Sequence, residues 1–302
     1  MAGRIAEFYG YPPLDPNGVL LGRTKTCPFI TGPCDKEFGA CSIKPVTSEP
    51  VIICPNRLYA DNHKFLRDIA EECFGRRSHL VARQEAIDRI RAGTFTGEEA
   101  VIFGKGFGGE ISIPAPKPNG KAGSGSFHID FIVAKLNRSG EVLEFAAVEV
   151  QSIDTTGSYN KAAKAYLKEI PYTNDKGTDQ TTVGLNWENV TKRILSQVIY
   201  KGNVLKRETR CQKGLFFVLP HQVYERIMTR IGGTLQDYPM SAGSVTFQTY
   251  DFDTVGTSLP KRLVRTKTFT TTVDQIAYAF INPTNLPDRN SYADAITKAL
   301  LG

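Results

Sequence analysis

The stretch SFHIDFIVAKLNRSGEVLEFAAVEVQ, Ser126 to Gln151, holds two apolar runs joined by a short Asn-Arg-Ser-Gly connection. Runs of this kind across such a turn predict a β-hairpin. Side chains alternate in direction along a strand. His128, Asp130 and Ile132 therefore share one face of the first strand, and Phe127, Ile129, Phe131 and Val133 share the other. In the second strand Glu149 and Gln151 face one way while Val148 and Val150 point away. Pairing of the hairpin then brings Asp130 and Glu149 to one edge of the sheet.

Ionised carboxylates held close together in a partly buried place are costly unless a cation joins them. Hard oxygen ligands of this kind suit Mg²⁺, which keeps several waters and binds substrate phosphate beside one or two carboxylates. A metal held by Asp130 and Glu149 suits phosphodiester hydrolysis, polarising the phosphate and activating a water. Gln151, one pleat repeat beyond Glu149, is placed to orient that water, although it brings no positive charge. Taken alone, the same pattern also fits acids that reach solvent at strand ends.

Working outward, the chain before the hairpin suggests two helices. Phe65, Ile69 and Phe74 are spaced helically, with Asp61 as N-cap and Gly75 as stop; a second helix carries Ile87 and Ile90 and ends at Gly93. After the hairpin, Trp187, Val190, Ile194 and Val198 fall on one helical stripe, followed by the short strand GLFFVLP and the helical HQVYERIMTRIGG. The last third mixes strand-like runs (SVTFQTYDF, RLVRTKTFTTTV) with a final helix, YADAITKALL. This order predicts a mixed α/β core. With 302 residues the chain is long enough for one large domain or two. No apolar run reaches the roughly 20 residues of a membrane span, and the N-terminus lacks a secretory apolar core. The expectation is a cytoplasmic protein with no membrane partner.

The first sixty residues are rich in Gly, Pro and Cys with little periodicity, and read as loops held by something other than a core. Cys27, Cys34, Cys41 and Cys54 fall in the pattern C-x6-C-x6-C-x12-C. Four thiolates in a loop-rich segment suit a tetrahedral structural site for zinc or iron, whose binding energy doubles as folding energy. Two disulfides are the alternative and need an oxidising compartment. Cys73 and Cys211 read as buried thiols. Among the histidines only His128, on the predicted face of Asp130, is placed to touch DNA or metal.

The formal charge is +6, and residues 186–230 carry nine Lys/Arg against three Glu, an excess equal to that of the whole chain. A localised basic stretch suits a polyanion, because each neutralised phosphate releases counterions; a solvated helix face gives the same composition. Lys192, Arg193, Lys206, Arg207 and Arg210 are the phosphate-contact candidates. The loop SIDTTGSYNK leaves the second hairpin strand directly, so Asp154, Thr155, Thr156, Ser158 and Tyr159 are placed to meet DNA or to form a polar turn. Glu85 and Glu110 are each candidates for a further metal ligand.

Together, CPF, GPC, GACS and ICPNR in the N-terminal part, with SFHIDF and VEVQSIDTTGSY in the middle, resemble the NotI family of type II restriction endonucleases. The resemblance covers roughly residues 20 to 220 and leaves the C-terminal third unmatched. It implies a PD-(D/E)xK nuclease core, a mixed sheet flanked by helices over residues 61–302. A four-cysteine domain over residues 1–60 precedes it and binds iron in the NotI enzyme. By the same resemblance Asp130 and Glu149 are the metal-binding carboxylates, and Gln151 stands at the motif's lysine position. Ile129 stands before Asp130 where the motif has proline. The implied activity is Mg²⁺-dependent cutting of double-stranded DNA at a GC-rich palindrome, CGGCCG, by a homodimer. One site of this kind cuts one strand, so a palindrome is most simply cut by two symmetric subunits. Two other readings share the ingredients. An iron–sulfur RecB-type exonuclease flanks its core with cysteines and carries Gln-x-x-x-Tyr, whereas Gln197 to Tyr200 is one residue short. A non-catalytic, metal-stabilised DNA-binding protein uses Asp130 and Glu149 as plain structure.

Overall fold

A computed structural model describes residues 3–75, 79–114, 126–232 and 235–301. The expected hairpin stands at the centre of a seven-stranded mixed sheet flanked by helices.

The N-terminal part is built from β1 (Gly3–Phe8), α1 (Pro16–Thr24), β2 (Ala40–Pro45) and β3 (Val51–Ile52), the strands forming an antiparallel sheet in the order β1-β2-β3. This corrects the expectation of loops. Ile5, Phe8, Tyr9, Ile43 and Val51 are buried in the same apolar cluster as the main sheet, so the segment does draw on a core. A single 3₁₀ turn, Pro55–Tyr59, leads into α2 (Ala60–Phe74). Asp61, Asn62 and His63 have φ of 56°, 54° and 56°, so the regular helix begins after them and Asp61 is not its N-cap. Gly75 ends the helix as expected, with φ of 89°.

Next come β4 (Leu80–Ala82), α3 (Arg83–Arg91), β5 (Ala100–Gly104), β6 (Ile111–Pro114), β7 (Ser126–Ile129), β8 (Phe131–Leu136) and β9 (Val142–Val150). The run SFHIDFIV is not one strand. β7 pairs with β6 in a separate ribbon, the chain breaks at Asp130, and β8 pairs with β9. Because of the break, Ile129 joins one apolar cluster and Phe131 the other, where unbroken alternation would have kept them together.

The chain continues through β10 (Thr155–Thr156), α4 (Asn160–Leu167), β11 (Gly184–Leu185), a π-helical turn (Val190–Leu195) that runs into α5 (Ser196–Leu205), and β12 (Leu215–Pro220). It ends with α6 (His221–Ile231), β13 (Ser244–Phe252), β14 (Leu263–Thr272), α7 (Val273–Ile281) and α8 (Ser291–Leu301). The sheet order is β14-β13-β12-β9-β8-β5-β4, with β12 parallel to both β9 and β13. A parallel pair needs a crossover, and the π turn and α5 lie within the one that links β9 to β12.

Both sheet faces are covered. Val148, Val150, Phe216 and Val218 pack with Phe65, Leu66 and Ile69 of α2. Ala147, Leu215, Phe217 and Phe247 pack with Val198 and Leu205 of α5 and with Val223 and Ile227 of α6. Glu149 alternates with Val148 and Val150, so it stands on the α5 side. Among the described residues no helix is long and apolar enough to cross a membrane.

Candidate active site and cysteine cluster

Pairing of Phe131 with Val148 sets Asp130 opposite Glu149 where β8 begins and β9 ends. The break at Asp130 frees its carboxylate to turn back on the partner strand, where Oδ2 accepts the Val150 N–H at 2.8 Å. The backbone of Asp130 in turn favours the ionised Glu149. Both acids are pushed up, by burial first. For Asp130 the Val150 N–H and the Lys201 charge oppose that rise, while Glu110 adds to it. Glu149 is raised from 4.5 to about 7, by burial and then by the charge of Asp130, against the pull of Lys201. Burial therefore disfavours ionising both acids at once, and Lys201 offsets that only in part.

Lys201 escaped the sequence reading. It reaches down from α5 to place Nζ 2.5 Å from Glu149 Oε1, with side chains only 20% and 13% exposed. The signal for it was present. Lys201 lies three residues after Val198 and four before Leu205, both buried, so it borders the apolar stripe of its helix. Gln151 lies just past the end of β9 rather than on it, and its amide is engaged elsewhere. Its Nε2 donates to the Ser152 carbonyl at 3.0 Å, and its backbone N–H to Val218 at 2.9 Å. Glu110 lies near enough to act on Asp130 and stands 3.7 Å from His128 Nδ1, both side chains being exposed. Glu85 pairs instead with Arg89 on its own helix at 2.5 Å.

Of the polar residues that follow β9, Asp154 accepts from Asn189 at 2.7 Å and from Arg193 at 3.0 Å. Two residues expected to meet DNA separately thus hold each other. Thr155 and Thr156 pair with β11, and the Ser158 hydroxyl accepts the Asn160 N–H at 3.1 Å. Tyr159 is half-buried against the main apolar cluster, and burial and then the charge of Cys54 raise its hydroxyl. Lys206 pairs with Asp274 at 2.5 Å, and Arg210 donates to the carbonyls of Val142 and Leu143. Arg207 is exposed. Lys192, paired with Glu188 at 2.7 Å, lines a cleft of about 470 Å³ together with Arg226 and Arg230.

The four N-terminal cysteines are free thiols and act on one another. Cys27 and Cys41 are buried together with Phe29, and Cys34 packs against them. Cys27 is drawn down to about 6, first by a hydrogen bond from Cys34 and then by the N–H groups of Phe29 and Ile30, against burial. Burial raises Cys41 and Cys54, and the charge of Cys54 adds to the rise at Cys41. A local pattern recurs: the sulfur of Cys27 receives the N–H of Phe29, that of Cys34 the N–H of Lys36, and that of Cys54 the N–H of Asn56. Each donor lies two residues after its cysteine, a turn that cradles a thiolate. Gly39, with φ of 58°, lies flat on the ring of Tyr9, where a Cβ would come within 2.1 Å. The donor chemistry fits a thiophilic metal. Among the described residues, no three His, Cys, Asp or Glu side chains are drawn close enough to hold an ion.

Arg57, three residues after Cys54, is fully buried. It bonds Glu7 through Nε at 3.1 Å and Nη2 at 3.0 Å, and its guanidinium lies 4.7 Å from the Phe29 ring centroid. This pair ties the cysteine segment to β1. No protein-family model matches the chain, and no curated protein sequence matches it significantly.

Proposed function

We propose that the chain is a Mg²⁺-dependent endonuclease that hydrolyses phosphodiester bonds in double-stranded DNA, with a PD-(D/E)xK core of the NotI type. The observation that carries this reading is the carboxylate pair Asp130 and Glu149. It is held at adjacent strand ends and partly withdrawn from water, which raises both acids. A mixed sheet with helices on both faces and this pair at its centre suits that core.

Asp130 and Glu149 would hold Mg²⁺, which on binding would supply charge to the phosphate and acidity to a water. The Val150 N–H fixes the Asp130 carboxylate and Lys201 holds that of Glu149, so little reorganisation is needed when the substrate arrives. In the step itself a water oxygen bonds to phosphorus, one bridging P–O bond breaks, and the water's proton leaves to solvent. The departing oxygen takes a proton from solvent. Cys27, Cys34, Cys41 and Cys54 are assigned to a structural iron or zinc that holds the N-terminal segment. Cutting both strands of a GC-rich palindrome calls for a second copy of the chain.

The test is incubation of purified protein with plasmid DNA, with and without Mg²⁺, beside Asp130→Ala. Discrete fragments that need Mg²⁺ and vanish in the variant are expected. Progressive loss from DNA ends would instead identify an exonuclease. A mobility shift without cutting would reduce the acids to structure.

A further inference from the structure

The strand position that would carry a cation two residues beyond Glu149 is occupied by Gln151, whose amide nitrogen is bonded to Ser152. A cation nevertheless arrives at the same carboxylate from a different element. Lys201 Nζ lies 2.5 Å from Glu149, and its charge also acts on Asp130.

The depth of that approach is fixed by packing. A Cβ on Gly202, the next residue, would come within 2.8 Å of Val273 Cγ2, so α5 sits directly against the start of α7. Val198 and Leu205 bury the helix one turn to either side, and Lys206 pairs with Asp274 of α7 at 2.5 Å. A lysine tip held with 20% exposure at a carboxylate pair is costly to place there unless its charge has a use. An anionic phosphate approaching two carboxylates meets repulsion, and the charge it gains in the transition state needs fixed donors.

We propose that Lys201 is a catalytic residue of the hydrolysis, supplying from α5 the positive charge that position 151 lacks. Its side-chain nitrogen contacts the scissile phosphate and the attacking water, and exchanges no proton with either. The proton balance is therefore unchanged: water loses its proton to solvent and the leaving oxygen gains one. Gln151 is left with a structural role at the strand end. The assignment rests on the nuclease reading above, and extends it by one residue that no strand motif would supply.

The experiment compares wild type, Lys201→Met, Lys201→Arg and the double variant Gln151→Lys/Lys201→Met. Four quantities are read: single-turnover cleavage in Mg²⁺, duplex DNA affinity in Ca²⁺, Mg²⁺ affinity by calorimetry, and melting temperature. Removing one such donor costs on the order of 10²–10³ in rate. Lys201→Met is therefore expected to slow cleavage by about 100-fold or more while binding DNA within about 5-fold of wild type. It should bind Mg²⁺ at least as tightly, because a competing cation is gone. Lys201→Arg should keep part of the rate, and moving the lysine to position 151 should restore about 10-fold or more of the loss. A counter-ion with only a structural role would not be rescued from the strand.

Cleavage by Lys201→Met at the wild-type rate overturns the assignment. So does weaker Mg²⁺ binding with the rate restored at high Mg²⁺, or a double variant no faster than Lys201→Met. If Lys201→Met does not fold, Lys201→Gln takes its place in every comparison, alone and combined with Gln151→Lys. Failure of wild type to cut DNA with Mg²⁺ would sink the nuclease reading itself, and is distinguished by being seen before any variant is made.

Discussion

Replacing Glu149 by glutamine should change how stability depends on pH in protein free of divalent cations. Glu149 is raised from 4.5 to about 7 in the folded protein, by burial and by the charge of Asp130. Asp130 takes its charge first, and Glu149 ionises against it. Between the two values the folded state holds a proton that the unfolded chain has released. Folding therefore binds protons, and stability falls as pH rises through that window. The penalty is absent well below pH 4.5, grows to pH 7 and is constant above. With these two values it is about 0.8 kcal/mol at pH 5 and about 3.3 kcal/mol at pH 8, a difference of roughly 2.5 kcal/mol.

Glutamine has no such titration. The stability of Glu149→Gln relative to wild type should therefore rise by about 2.5 kcal/mol from pH 5 to pH 8. Taking the difference between two pH values removes the constant cost of the altered contact to Lys201. Urea unfolding at the two pH values, without divalent cations, measures the difference. Saturating Mg²⁺ at pH 8 should stabilise wild type and leave the variant nearly unchanged, since the ion relieves the repulsion that glutamine never had. Parallel pH profiles for the two proteins would refute the reasoning. They would mean that water or a cation already satisfies the pair, and that no surplus charge awaits a metal.

Arg57→Met should destabilise the protein by about 3–5 kcal/mol in urea unfolding, because it strands the Glu7 carboxylate in a buried position. Loss below about 1 kcal/mol would show that water reaches Glu7. Elemental analysis of the purified chain should find about one iron or zinc ion per chain, and Cys27→Ser or Cys54→Ser should lose both the metal and several kcal/mol of stability. Metal-free protein with four reactive thiols and unaltered melting would reject the four-cysteine site.

The hairpin was the most legible part of the fold. Its turn residues and its alternation set the register that brings Asp130 opposite Glu149, and both are local properties of the chain. The break at Asp130 was not legible. SFHIDFIV alternates as well across the break as within it, and only the pairing of Ser126–Ile129 with Ile111–Pro114 ends the first strand there. The N-terminal sheet was missed for a related reason. Its strands are short, β1 lies far from β2 and β3 in sequence, and their apolar residues make sense only beside Ala162, Ala163 and Tyr166 of α4.

Lys201 shows where periodicity stops being informative. Its place beside the buried stripe marks it as half-covered, but a lysine there usually lays its stem on apolar neighbours and keeps its charge in water. What sends the charge inward is tertiary. The parallel pairing of β9 with β12 forces a crossover, and that crossover lays α5 over the face of the sheet that carries Glu149. Gly202 then lets the helix settle against α7. A motif written along one strand records only what that strand contributes. The site is closed by a residue 52 positions away, so the charge balance of such a centre has to be read across the sheet.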